Sequence, residues 1–295
     1  MFGRVGNRIV PIMTLGFLLV LGGVAPAWSA DGPQVLRVSA IPDENPTELQ
    51  RKYQPLAEYL SREVGLPVKY VPVVDYAATV EGLAANKLDL VWYGGFTSVQ
   101  AVRRTGGTAT RLVMRKEDKK FRSVFITRKG SGIQTLQDLE GRTFAFGSES
   151  STSGHLMPRH FLLEHGITPE SAFSRFSFSG AHDATAAWVE AGKVDAGALS
   201  ISVWEKLVRT KKVNTDQVIV FWTTPPYVDY VWTARGGLPQ ALKEKITAAF
   251  LQLDYQNREH RMIMDLQRTK QYARAKDEWW NGIEEAAKAA SLIRE

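Results

Sequence analysis

The sequence predicts two open α/β domains built as a hinged pair. Three observations carry this. A β-α-β-α-β pattern occurs twice along the chain, the two blocks share an internal echo, and 295 residues suffice for two domains of ordinary size. The hydrophobic fraction of 44% and charged fraction of 23% are ordinary for globular chains, which excludes extended disorder. There are no cysteines, so disulfides, thiolate nucleophiles and Cys-ligated zinc are excluded. The net charge of +6 comes from scattered lysines and arginines, not the dense basic stripe of a nucleic-acid protein, and none is expected as a partner.

Met1 to about Ala30 reads as a secretory signal. Arg4 and Arg8 precede the uncharged run Ile9–Val24, and Ala27, Ser29 and Ala30 offer small-residue cleavage positions. The run is short for a membrane span. Cleavage between Ala27 and Asp31 is expected, leaving a periplasmic chain whose charge falls to +4 with the loss of two arginines.

Val35–Ile41 predicts the first strand. Leu49, Tyr53, Leu56, Leu60 and Val64, at steps of three and four, predict a helix with Thr47 and Gln50 as its cap and Gly65 as its stop. Val68–Val74 is the second strand, Asp75 opens the next helix, and Leu88–Trp92 is the third strand. Phe121–Thr127 reads as a strand, Leu136–Gly141 as a short turn, Thr143–Phe146 as a strand, and Ser150–His165 as a helix closed by Gly166. Phe173–Phe178, His182–Ala191 and Val194–Leu199 complete the second block. Val218–Thr223 and Asp229–Ala234 are strands, and the rest is largely helical, with Trp279 and Trp280 docking on a domain. The echo aligns Asp75–Gly94 with Ala181–Ser200, making Tyr76 equivalent to His182 and Gly94 to Ser200. The domains are drawn as 31–127 with 234–295, and 128–233.

In open α/β sheets ligands bind beyond the carboxyl ends of the strands. At one such end lies Ser148-Glu-Ser-Ser-Thr-Ser-Gly-His155. A helix N-terminus supplies free N–H groups and partial positive charge, the hydroxyls add donors, and Gly154 permits close backbone approach. An anion cradle is one reading and a plain Ser/Thr N-cap the other. Four successive hydroxyls, from Ser150 to Ser153, favour the cradle. The Lys of a Walker loop is missing. His155, His160 and His165 recur at intervals of five and do not share one helical face, so no metal site is expected.

At these residues the chain resembles the periplasmic binding proteins of phosphate, phosphonate and phosphite ABC importers. Leu36-Arg-Val-Ser-Ala-Ile-Pro42, Asp75-Tyr76, Tyr93-Gly-Gly-Phe-Thr97, Ser151-Thr-Ser-Gly154 and Gly192-Lys-Val-Asp-Ala-Gly197 carry the resemblance. Through Pro42-Asp-Glu-Asn-Pro46 and Gly94-Gly95-Phe96-Thr97 the chain is most similar to the branch labelled selenate-binding. The resemblance implies a type II binding protein: two domains, each an open mixed sheet flanked by helices, joined by two crossing strands. It implies ligand contacts from Tyr76, Tyr93, Gly94, Gly95, Phe96, Ser150, Ser151, Thr152, Ser153, Gly154, His155, His182 and Ser200. It also implies a small oxyanion (phosphonate, phosphite, phosphate or selenate), an inner-membrane ABC permease as partner, a monomer, no cofactor and no catalysis. Ala198-Leu199-Ser200 lacks the acid that would accompany an aminoalkyl phosphonate. The alternatives are a sulfonate-type binder, which would call for an arginine that the cleft loops lack, and an exported enzyme or sensor.

Overall fold

The computed structural model describes residues 1–3 and 32–294. The stretch read as an export signal therefore lies, beyond its first three residues, outside the described residues. Contacts divide the chain into Met1–Gly32 and Pro33–Glu295, and the description below concerns the second unit. No helix among the described residues is long and apolar enough to cross a membrane.

β1 (Leu36–Ala40), α1 (Pro46–Val64), β2 (Val68–Tyr70), α2 (Tyr76–Ala84) and β3 (Leu90–Tyr93) follow the expected order. Leu49, Tyr53, Leu56, Leu60 and Val64 are all buried, as their spacing requires. The cap is Asn45 and not Thr47: its side chain accepts the Glu48 N–H at 3.2 Å, and Pro46 occupies the first turn, where a missing N–H costs nothing. Gly65 ends α1 at φ 73°. Asp75 caps α2 by accepting the Ala78 N–H at 2.7 Å.

The pattern passed over α3 (Gly95–Arg104) and β4 (Thr110–Arg115). Gly94 and Gly95 suggest a loop, but Gly94 is the N-cap of α3, where the cost of glycine is small. After a short turn come β5 (Ser123–Arg128), β6 (Thr143–Phe146), the π-helical turn Thr152–Leu156, α4 (Met157–Glu164), α5 (Pro169–Ala172), β7 (Arg175–Phe178) and α6 (His182–Glu190). β8 (Ala196–Ser200), α7 (Ile201–Arg209), β9 (Val218–Thr223), β10 (Val231–Ala234), α8 (Gln240–Leu251), α9 (Arg258–Gln267), β11 (Tyr272–Arg274) and α10 (Asn281–Ala289) complete the chain.

The strands form two mixed sheets, ordered β11-β4-β10-β3-β1-β2 and β7-β6-β8-β5-β9. In the first, β1 pairs in parallel with β2 and β3; in the second, β6 pairs in parallel with β7 and β8. β5 pairs with β8 and β9, so it lies wholly in the second sheet, whereas β10 pairs with β3 and β4 in the first. Boundaries at 127 and 233 thus fall inside strands, and the chain crosses between sheets near 116–122 and 224–230. A strand's own pattern cannot name its sheet; its hydrogen-bond partners do.

The echo has a structural basis. α2, β3 and α3 begin at Tyr76, Leu90 and Gly95; α6, β8 and α7 begin at His182, Ala196 and Ile201, each 106 residues later. Asp89 accepts from the Arg37 N–H and Asp195 from the Thr143 N–H, so both carboxylates tie a strand to its parallel neighbour. Both helix starts therefore sit at equivalent strand ends, facing the other half. Alternation along β5 divides the second core: Val124 and Ile126 pack on one face and Phe125 on the other.

Candidate functional site

The strand ends and the crossing near 224–230 converge on one buried polar lining. Ser151, Thr152, Ser153, Tyr76, His182, Asp43 and Asp229 are each at most 2% exposed. In the serine turn, Ser151 Oγ accepts the Gly154 N–H at 3.0 Å, so the cap exists. The first N–H groups of a helical turn have no intrahelical acceptor and carry partial positive charge.

The three hydroxyl residues do different work. Thr152 Oγ1 accepts the Phe96 N–H at 2.9 Å and faces the Asp229 carboxyl, which binds the two halves together. The Ser153 carbonyl accepts from the Ser123 hydroxyl at 2.7 Å, and that hydroxyl also meets Tyr227 Oη at 2.6 Å. Ser150, half-buried, receives the Thr97 hydroxyl on its carbonyl at 2.9 Å. Gly154 is needed for a reason other than the one expected: a Cβ there would lie 3.1 Å from Gly147 Cα and 3.1 Å from His182 Cε1.

His182 Nδ1 accepts the Ser200 N–H at 3.3 Å, which places the ring proton on Nε2. Burial lowers the pKa of this imidazole, so it stays neutral and donates. Nε2 is buried without a hydrogen-bond partner, as is the hydroxyl of Tyr76, which lies near the Ser151 side chain; burial pushes that phenol well up. Asp43, whose carbonyl accepts the His182 N–H at 3.0 Å, leaves Oδ1 unpartnered.

Asp229 was not anticipated. The expected strand at 229 begins only at Val231, and Asp229 stands in the crossing before it. Its Oδ1 accepts the Gly95 N–H at 2.8 Å, Trp280 Nε1 donates to its carbonyl at 2.9 Å, and Oδ2 has no partner. Burial pushes the carboxyl up to about 7, against the opposing pull of the Gly95 N–H. Tyr230 stacks on Trp92 at 5.4 Å, with the Arg115 guanidinium behind it 4.9 Å from the ring centroid. The sequence signal for this group was Pro225-Pro-Tyr-Val-Asp-Tyr230, a carboxylate between two tyrosines after a rigid pair of prolines.

Three expected contacts are committed elsewhere. Tyr93 Oη donates to the Thr79 carbonyl at 2.7 Å. His155 donates from Nδ1 to the Glu149 carbonyl at 2.7 Å and accepts from Arg159 on Nε2 at 3.0 Å; burial pushes its pKa down to about 4. Ser200 caps α7 and orients His182. Gly94, Gly95 and Phe96, expected as a loop, form the N-terminus of α3, where the Gly95 N–H meets Asp229 and the Phe96 N–H meets Thr152. A Cβ on Gly94 would lie 2.8 Å from Thr152 Oγ1 and 3.3 Å from Asp229 Oδ1. Gly94→Ala is therefore expected to hold the halves apart and weaken ligand binding by about five- to a hundredfold. Calorimetry with any bound ligand checks this, with thermal melting as the control for folding.

Ion pairs also join the halves. Lys206 of α7 reaches Glu44 at 2.5 Å and Glu48 at 2.7 Å and Lys212 reaches Glu48 at 2.8 Å, while within the first half Arg268 holds Glu44 at 2.7 Å. Burial alone would raise the Glu44 carboxyl, but Arg268, Lys52 and Lys206 hold it down to about 2. Removing one member strands a buried charge. Lys206→Met is expected to cost closure about 2 kcal/mol, or roughly thirtyfold in affinity. An unchanged dissociation constant would show that these pairs do not stabilise closure.

Comparison with known proteins follows this geometry. A family model described as "ABC transporter, phosphonate, periplasmic substrate-binding protein" matches residues 38–280. The chain is 38% identical over 281 residues to a protein of Prochlorococcus marinus (strain MIT 9301) named as a probable ABC transporter phosphite binding protein, PhnD1, covering 92% of this chain and 94% of that one. It is 29% identical to the phosphate-import protein PhnD of Mycolicibacterium smegmatis, covering 76% and 74%. The solved structure of PhnD1 with methylphosphonate superposes with a TM-score of 0.85 at 36% identity, covering 89% of this chain and 100% of that one.

Proposed function

Because the chain belongs to the periplasmic substrate-binding proteins of phosphonate ABC transporters, we propose that its ligand is phosphite or a short phosphonate, held in this lining and delivered to a permease. Members of that family are transporter components and not enzymes. The carrying observation is the set of buried polar atoms without protein partners. Tyr76 Oη and His182 Nε2 supply donors, and Asp229 Oδ2 supplies a carboxyl with a pKa near neutrality. Buried polar groups are otherwise nearly always paired. Around a helix N-terminus, such a set suits a tetrahedral anion that carries one proton.

Asp229 also sorts the candidates. The second pKa of a phosphorus oxyanion lies close to neutrality, so it can share a proton with this carboxyl. Above about pH 7, where this carboxyl is ionised, sulfate and selenate carry no proton and would set a bare oxygen against it. The sulfonate reading has the same difficulty and finds no arginine in the lining, since Arg115 lies behind the Trp92 and Tyr230 rings. Calorimetry against phosphite, methylphosphonate, phosphate, sulfate and selenate tests the reading. Phosphite and methylphosphonate are expected to bind tightest, and selenate binding of equal strength would overturn it.

In this reading the two sheets are lobes that close on the ligand, with boundaries at the crossings near 121 and 229, and the protein works as a monomer. Its N-terminal 30 residues act as a cleaved export signal. Small-angle scattering should show contraction on ligand saturation, and mass spectrometry of exported protein should find no Met1 end.

A further inference from the structure

Beside the cleft, between α7 and α9, two cavities of about 700 and 250 Å³ share Arg209, Asp265 and Arg268. Lys52, Lys206 and Thr210 also line the smaller one, together with Glu44 and Glu48. None of these residues belongs to the serine turn, and none is Tyr76, His182 or Asp229.

The charges here do not balance. Glu44 and Glu48 are already taken by Lys206, Lys212, Arg51 and Arg268. The Asp265 carboxylate accepts from the Tyr255 hydroxyl at 2.7 Å. Lys52, 5% exposed, has no hydrogen-bond partner for its buried Nζ, which lies over the Tyr53 ring at 5.0 Å and feels the Asp43 and Glu44 carboxylates, and Arg268 has none for its Nε. Arg209, which is exposed, makes no ion pair among the described residues. Burial and the nearby Arg268 push the Lys52 ammonium down to about 7. An anion in the cavity would relieve that cost, because an opposite charge favours the ionised amine.

We propose that this pocket binds a second small inorganic anion, a halide or small oxyanion, through Lys52 Nζ, Arg268 Nε and Arg209, at a site separate from that of the cleft ligand. Lys52 and Arg268 belong to the first sheet's side, whereas Arg209 and Thr210 end α7 on the second. A bridging anion would therefore favour the closed arrangement and, by linkage, tighten the cleft ligand, as binding reciprocity requires. The inference does not depend on which anion the cleft takes.

The test uses the whole protein, with sodium chloride replacing sodium gluconate at constant ionic strength. Chloride should raise the melting temperature saturably and tighten the cleft ligand by at least about fivefold. The thermal response should persist in His182→Ala, whose cleft is impaired, and disappear in Lys52→Met. Should Lys52→Met fail to fold, the exposed Arg209→Gln replaces it, and the response should shift to higher chloride. A wild type indifferent to chloride would overturn the proposal. So would a response lost in His182→Ala, or one unchanged in whichever pocket variant folds.

Discussion

Ligand affinity is expected to fall about tenfold for each pH unit above 7, and Asp229→Asn is expected to remove that slope. The Asp229 carboxyl is raised to about 7 by burial. Below that value it is protonated and can hydrogen-bond a ligand oxygen. Above it, both carboxylate and phosphorus oxyanion are ionised when free, yet the complex keeps one proton between them. Binding then takes up one proton, and one proton per complex is a factor of ten per unit. An asparagine does not titrate, so its profile should be flat. Calorimetry between pH 6 and 9 on both proteins reads the slope; a flat wild-type profile would sink the shared-proton reading.

The same group makes a second, opposite statement about stability. Its folded pKa lies above the ordinary carboxylate value, so its contribution is full below about pH 4 and is lost as pH rises through about 7. Ligand-free Asp229→Asn should thus be more stable than wild type at pH 8, by on the order of 4 kcal/mol. Higher melting temperature with altered ligand binding in one variant would mark a group retained for recognition at the expense of the fold.

His182→Ala and Tyr76→Phe should each weaken binding by about one to two powers of ten. A hydrogen bond to a charged group is worth about 1.5–3 kcal/mol, and 1.4 kcal/mol is tenfold. Tyr76 Oη has no hydrogen-bond partner, so Tyr76→Phe strands no other group, whereas His182→Ala also takes the Nδ1 acceptor from the Ser200 N–H. Tyr76→Phe keeps the ring and should leave the ligand-free melting temperature level or slightly raised. Thr152→Val should behave differently: its hydroxyl holds the Phe96 N–H, so its loss acts through closure. Full affinity in both His182→Ala and Tyr76→Phe would remove the ligand from this lining.

Much of this was legible beforehand. The helix spacing in α1, the Asp75 cap and the 106-residue echo are local patterns, and each corresponds to an element of the structure. The echo even placed Tyr76 and His182 at matching helix starts, because two copies of one strand–helix unit must present equivalent ends. The serine turn was visible because hydroxyls crowd before a glycine. His155 shows the limit. It stands next to that turn in sequence, yet both its nitrogens are used by Glu149 and Arg159, which no spacing reveals.

Local pattern therefore determined the two-block α/β architecture, the buried face and stop of α1, the start of α2 and the serine turn. Tertiary structure alone decided which sheet β5 and β10 join, which hydroxyls are already engaged, and that Asp229 lies buried beside Gly95 with one oxygen unpartnered. The reason is physical. A strand's alternation and a turn's composition are set by near neighbours, whereas sheet membership, an unpaired donor and a carboxyl's pKa depend on what folding brings alongside. Asp229 meets Gly95 across 134 residues of chain, and only that contact, with its burial, makes it a carboxyl able to hold a proton near neutral pH.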